Sequence, residues 1–373
     1  MRLVIFSSGF SSARLRLQPW LTLLEVGLQM KSSGHDVWVA TDGADDGKLP
    51  LPVRRFKSLR GTQSEEISGW LKKIAPDRVV TSVSPFSLAT AGWHASLNPR
   101  SAWAFLPYAL YSGGEMARAW RHLIPADRWG YGRNLVIPRG VWQRRLARRF
   151  RGVICQSRRT IDRLGVGIRG EAISPGIDLD QWRPAENADR SDAGQQPFLY
   201  VGSPKSIRGF NVLLDAMKRL PPAIRLRVLA RGLDADGETA LRQRLSGIGI
   251  ADRVDVRGGW LSRDDLVSEI RQAAAVVLPF VLVPSEIPVS VMEVIACGTP
   301  VIVTDIDGLP EAVGPAGLVV PPGDSIALGG AMKNLSQNHG HLQSLRDACL
   351  VQRRRYTGWS EVAQQWAARL EEN

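Results

Sequence analysis

Short apolar runs alternate with helical patterns along this chain, and the alternation starts afresh after one polar segment. In the first half, strands are predicted at Leu3–Phe6, Val37–Ala40, Val79–Val83, Ala102–Phe105 and Gly152–Cys155. Helices are predicted at Trp20–Lys31, Glu65–Ile74 and Val141–Phe150, with Tyr108–Pro138 read as irregular. The second half gives strands Phe198–Val201, Leu226–Ala230, Val254–Arg257, Val276–Leu278 and Val301–Thr304. Its helices are Asn211–Arg219, Ala240–Ser246, Arg263–Gln272, Val289–Ala296 and Ser325–Asn334. Strands separated by helices make βα units and parallel sheets. The polar stretch Asp189–Gln196 reads as the linker, giving domains 1–188 and 197–355. Two doubly wound α/β domains therefore fit better than one large sheet. Such sheets bind ligands at the carboxyl ends of their strands, so the expected site is the central cleft between the domains.

The 373 residues are ample for two cores. The net charge is +12, and it is concentrated. Between Arg118 and Arg159 stand twelve arginines, no lysine and one acid, Asp127. Such a belt suits an anionic partner. In Val141–Phe150, the stripe Trp142, Leu146 and Phe150 reads as core-facing, while Arg144, Arg145, Arg148 and Arg149 form an anion-facing patch. No recognition module accompanies the arginines, so nucleic acid is not expected as a partner. The longest apolar run, Ala273 to Pro284, is short of the roughly 18 residues of a membrane span. Met1-Arg2 leads directly into a strand rather than a signal peptide. Cys155, Cys297 and Cys349 show no metal or redox spacing and point to the reducing cytoplasm. The five histidines do not pair at metal spacing, and no metal site is expected. His339-Gly340-His341 reads as a solvated polar loop.

Four segments carry candidate chemistry. From Ser285 to Thr304, Glu286 and Glu293 flank a helix start that ends in Ala296-Cys297-Gly298-Thr299-Pro300. A helix N-terminus attracts phosphate, and carboxylates beside it accept hydrogen bonds from sugar hydroxyls. A solvated helix start explains Glu286 equally, but explains Glu293 poorly. The loop Gly202-Ser203-Pro204-Lys205-Ser206-Ile207-Arg208-Gly209 can bring backbone and cations to a diphosphate, or be an ordinary βα turn. Thr304–Glu311 is a ligand-edge loop or a plain turn. The small-residue loop Ser7–Arg14, with Gly9, Phe10, Ser11 and Arg14, could admit donor or acceptor, but it is not a GxGxxG fingerprint.

Together these residues resemble the retaining family-4 glycosyltransferases of the GT-B fold, the glycosyltransferase group 1 class. The motifs are Gly202…Arg208-Gly209, Glu286…Glu293 with Ala296–Val301, Gly308-Leu309-Pro310-Glu311 and Gly317–Asp324. The likeness is strong from Phe198 to Pro322 and is in outline over the first half. It implies two Rossmann-like domains, with a final helix over 359–373 crossing back to the first. It also implies transfer, with retention, from a nucleotide-diphosphate sugar, UDP- or GDP-linked, with no cofactor and no metal.

Arg208, with Lys205, would meet the diphosphate; Glu293 would hold the ribose; Glu286 would stand by the transferred sugar, and Glu286, Arg208 and Lys205 would be the catalytic residues. Gly202, Ser203 and the backbone of Ile287, Pro288 and Val289 would complete the donor site. Two departures stand out. Ser203 replaces the usual arginine, and the acid spacing is one residue short, so strict register puts Ser285 at the first acid. The acceptor would be a glycan or lipid-linked molecule of envelope polysaccharide or glycolipid synthesis, met at the inner face of the cytoplasmic membrane by a peripheral protein. A catalytically silent GT-B nucleotide-sugar-binding protein, or an epimerase or phosphorylase of this fold, are the alternatives.

Overall fold

The computed structural model describes all residues except 46, 60–63, 186–195, 284 and 373. The expected linker, apart from Gln196, lies outside the described residues. Two all-parallel sheets form the frame. The first contains β1 (Arg2–Phe6), β2 (Asp36–Thr41), β3 (Val53–Arg55), β4 (Arg78–Ser82), β5 (Ala102–Leu106), β6 (Gly152–Cys155) and β7 (Gly170–Ala172), in the order β3-β2-β1-β4-β5-β6-β7. The second contains β8 (Phe198–Val201), β9 (Leu226–Arg231), β10 (Val254–Gly259), β11 (Val276–Leu278), β12 (Val301–Thr304) and β13 (Gly317–Val320), in the order β10-β9-β8-β11-β12-β13.

Strand order reverses beside β1 and beside β8. There the loops after neighbouring strands part, and a crevice opens at their carboxyl ends. The loops after β1 and β4 in one sheet, and after β8 and β11 in the other, therefore border the same space. The central strands are buried along Leu3–Phe6, Val79–Thr81, Phe198–Val201 and Val276–Leu278, as helices on both faces require.

The closing helix Trp359–Glu371 buries Val362, Ala363, Trp366 and Leu370 among Leu3, Ile5, Leu23 and Phe105 of the first half. Trp366 meets Phe105 edge to face at 5.1 Å. Gly176 lies under Trp359, which a Cβ there would meet at 2.7 Å.

Some elements differ from expectation. Tyr108–Pro138 is not irregular; it holds helices Gly113–Trp120 and Pro125–Val136. The first opens on a capping box: Ser112 Oγ accepts from Glu115 N at 3.2 Å, and Glu115 Oε2 accepts from Ser112 N at 2.7 Å. His339-Gly340-His341 is not a loop but the first turn of helix His339–Arg353, capped by Asn338. The edge strands β3, β7 and β13 and the helix Arg158–Leu164 are additions too short to show a period. Trp142, Leu146 and Phe150 are buried, the core packing their spacing suggested.

Candidate functional site

A cleft of about 730 Å³ runs between the carboxyl ends of the two sheets. On the second-sheet side it is lined by Arg208, Arg231, Arg263, Ser285, Pro288, Val289, Ser290 and Glu293. The helix Val289–Ala296 opens onto it with Pro288 at the N-cap and no side-chain cap, leaving its first N–H groups for an anion.

Glu293 lies one turn into that helix. Burial pushes its carboxyl up to about 7, while Arg231 and Arg263 pull it back down. Arg231 ends β9 and stacks over Trp260 at 5.3 Å. Burial lowers its affinity for a proton, Glu293 raises it, and Arg208 and Arg16 lower it. Arg16 comes from the first-sheet wall, so like charges face each other across the cleft.

Arg208 is held by its own loop. Its guanidinium sits 5.0 Å over the Phe280 ring and occupies the space beside Gly202, where a Cβ would lie 2.6 Å from Nη2. That close approach is what glycine at 202 permits. Ser203 is drawn backward, its carbonyl accepting from Tyr200 Oη at 2.7 Å. Lys205 is exposed and, with Gly202 and Ser203, is not among the lining residues. The cleft's cations on this side are thus Arg208, Arg231, Arg257 and Arg263 rather than Lys205 and Arg208. Arg231 stands at the carboxyl end of a strand, where ligand contacts concentrate.

Glu286 is the main correction. Its side chain is fully buried and turned away from the cleft. Oε1 accepts from Gln156 N at 3.0 Å; Oε2 accepts from Ser157 N and Ser157 Oγ, both at 2.8 Å. It therefore ties the second sheet to the loop after β6 in the first. Ser285, the residue in strict register with the family acid, lines the cleft instead. Ile287 is buried against Gly308 and is not among the lining residues, whereas Pro288 and Val289 are.

Thr304–Glu311 also serves this junction rather than the cleft. Glu311 Oε2 accepts from Arg158 N at 2.9 Å, and Asp305 pairs with Arg159 at 2.9 Å. Asp307, at φ +41°, accepts from Thr160 Oγ1 at 3.3 Å.

In the first domain, Gly9, Phe10, Ser11 and Arg14 are displaced from the cleft. Gly9 N and Phe10 N donate to Asp42 Oδ1 and Thr41 Oγ1, at 2.8 and 3.0 Å, and Phe10 is buried. Their neighbours Ser8, Arg16 and Gln18 line the wall instead, with Thr81, His94, Tyr131 and Arg133.

The arginine patch divides. Arg144 and Arg148 are exposed. Arg145 turns inward to the carbonyls of Leu88 and Ala89, and burial lowers the proton affinity of Arg149. Earlier in the same run, Trp129, Ile124 and Trp120 are 68, 54 and 46% exposed. Among the described residues, no helix is long and apolar enough to cross a membrane, and no group of three potential metal ligands comes together.

Residues 195–338 match the family of glycosyl transferases group 1. This segment, under half of the chain, is what is similar to that family. It carries all of β8 to β13 and every second-sheet residue of the cleft. A D-inositol 3-phosphate glycosyltransferase of Mycobacteroides abscessus is 32% identical over 162 residues, 41% of this chain and 36% of that protein. The aligned part is thus about a third of that relative's length. Anabaena Alr3699/HepE, solved in complex with UDP, superposes with a TM-score of 0.72 at 16% identity, covering 99% of each chain. WaaG, a glycosyltransferase involved in lipopolysaccharide biosynthesis, superposes with a TM-score of 0.68 at 15% identity, covering all of both chains. The matched segment and the first sheet together make a GT-B fold.

Proposed function

We propose that the chain transfers a sugar from a nucleotide-diphosphate donor to a hydroxyl of a glycan or lipid-linked acceptor, with retention and without a metal. One observation carries this reading: Glu293 faces the interdomain cleft between Arg231 and Arg263, beside an uncapped helix N-terminus. The carboxylate accepts hydrogen bonds from the ribose hydroxyls. The helix end, Arg208, Arg231 and Arg263 stabilise the diphosphate as it gains charge on leaving. The parted sheets close over the donor and exclude water that would hydrolyse it. UDP- and GDP-sugars are the donors to test first; HepE was solved with UDP. Wild-type protein should gain thermal stability with one of them by mass action. Glu293→Gln should weaken UDP or GDP binding at least about tenfold by calorimetry, since one carboxylate holding two hydroxyls contributes roughly 1.5–3 kcal/mol. Unchanged affinity would remove Glu293 from the donor site. Binding without turnover of any donor would favour the catalytically silent alternative.

The acceptor side favours a molecule at a membrane surface, in keeping with an envelope-glycan role at the inner face of the cytoplasmic membrane. Exposed Trp120 and Trp129 lie on two successive helices with exposed Ile124 at the cap of the second, and Arg144 and Arg148 lie on the next helix. Aromatic side chains ringed by arginine suit an anionic bilayer. The protein should float with phosphatidylglycerol vesicles at low salt and be released near 0.5 M salt. Trp129→Ala with Arg144→Gln and Arg148→Gln should abolish flotation; retention by this variant would exclude the patch.

A further inference from the structure

Tyr111 joins the two halves at the rim of the cleft. It stands in the first half, between β5 and the helix Gly113–Trp120, yet its hydroxyl binds the backbone of the second. Tyr111 Oη donates to Val283 O at 2.7 Å and accepts from Val283 N at 2.6 Å. Burial pushes the phenol pKa well above its ordinary value, so the hydroxyl keeps its proton and serves both bonds at once. Val283 is buried, so bulk solvent would not replace that partner. Four positions before Tyr111, Pro107 O accepts from Glu286 N at 3.1 Å, a second tie between the same two stretches. The mount of Tyr111 is rigid. Arg163 donates to Leu110 O and pairs with Glu115 at 2.7 Å, holding the chain on both sides of Tyr111. The helix that follows and its exit bury Met116, Ala119 and Leu123 in the core of the second sheet.

The backbone that Tyr111 holds belongs to the segment on which Arg208 rests. Val281 N and Leu282 N both donate to Ile207 O, at 2.9 and 3.2 Å, and the Arg208 guanidinium lies over the Phe280 ring. Val283 borders the cleft, Val281 and Leu282 border a second cavity of about 450 Å³, and Tyr111 lines both spaces. A segment between two cavities has room to shift, so its backbone bonds set its position. We propose that Tyr111 is a positioning residue for the donor diphosphate: from the first half it fixes Phe280–Val283 and, through that segment, Arg208. The inference rests on the transferase reading, which puts the diphosphate at Arg208. It goes further in giving the first half a part in the anion site. The terminal phosphate is then held well only while the two halves are docked, whereas the nucleoside end, on Glu293, does not depend on Tyr111.

Calorimetry of UDP against UMP, and of GDP against GMP, reads the terminal phosphate through the ratio of the two affinities. Tyr111→Phe keeps the ring and removes both bonds. It should lower diphosphate affinity at least about fivefold and monophosphate affinity less than about twofold, the scale of one lost hydrogen-bonded anchor. In Arg208→Gln the same substitution should add little further loss, because it acts through Arg208. Tyr356→Phe is the control. It removes a buried phenol bond to Ala312 O of 2.7 Å, away from the cleft, and should lower the melting temperature without moving the ratio. A ratio unchanged in Tyr111→Phe, or moved equally by Tyr356→Phe, overturns the inference, as does a full further loss in Arg208→Gln. If Tyr111→Phe does not fold, hydrogen exchange at the Val283 amide of the wild type decides. UDP should slow it at least about threefold more than UMP does, and equal protection overturns the inference. UDP or GDP bound with an unmoved ratio sinks the role of Tyr111 alone; failure of both to bind the wild type sinks the transferase reading and this inference with it.

Discussion

Glu286→Ala is expected to destabilise the chain by about 3 kcal/mol or more and to loosen the two sheets from each other. The substitution strands two buried backbone N–H groups, on Gln156 and Ser157, and the Ser157 hydroxyl. Each unsatisfied buried group costs roughly 1–3 kcal/mol. Of the other ties at this junction, Arg158 N to Glu311 and Arg159 to Asp305 are exposed and weaker, and the buried bond from Thr160 Oγ1 to Asp307 is long at 3.3 Å. The variant should melt earlier and show a larger radius of gyration in solution scattering. Unchanged melting and scattering would refute the assignment.

The same group gives stability a sign with pH. Burial, then the nearby Asp307, push Glu286 up to about 8, against the pull of its three donors. Burial likewise holds Asp307 and Glu293 at about 7. In the unfolded chain such carboxyls titrate near ~4. The folded chain therefore holds more protons over the interval between. This contribution is full only below the unfolded values, falls as pH rises across the interval, and is gone once pH has passed through 7 and 8. Denaturant melts at pH 5 and pH 8.5 should show the decline, and Glu286→Gln should flatten it.

Gly209→Ala should have an effect at least as large, about 4 kcal/mol or more, the range reserved for named steric failures. Gly209 has φ +72°, and a Cβ there would stand 1.7 Å from the Pro279 carbonyl oxygen. No rotamer relieves a clash between backbone atoms. Gly34 provides the comparison: it has φ +88° with nothing within 4 Å of its added Cβ, so alanine there should cost only about 1–2 kcal/mol of left-handed strain. Because Arg208 immediately precedes Gly209, any folded Gly209→Ala protein should also lose donor affinity. Equal melting temperatures for the two variants would contradict this account.

Legibility varied with how local the cause was. Strands β6, β8, β11 and β12 and helices Arg263–Gln272 and Val289–Ala296 have the bounds their apolar patterns predict. Each is a short run whose periodicity or β-branching decides its state without help. The capping box at Ser112 and Glu115 is equally local and lies just before the arginine-rich stretch. Phe10 belongs to a small-residue loop that the sequence offers to donor or acceptor, yet it is buried, and its N–H donates to Thr41 Oγ1 at the end of the next strand. Arg145 and Arg149 belong to the same charged run as Arg144 and Arg148, and no spacing rule separates the pair that turns inward.

By itself, the sequence determined two parallel α/β sheets, a helix N-terminus at Val289 and a carboxylate at Glu293 poised above it. These follow from patterns within a few turns of chain. The tertiary structure decided what Glu286 does. The residues from Ser285 to Pro288 precede the helix and have no period to orient them, so spacing alone left Ser285 and Glu286 as rivals for one position. Packing settled it: three donors from Gln156 and Ser157, about 130 positions away, hold the Glu286 carboxylate at the junction and leave Ser285 on the cleft.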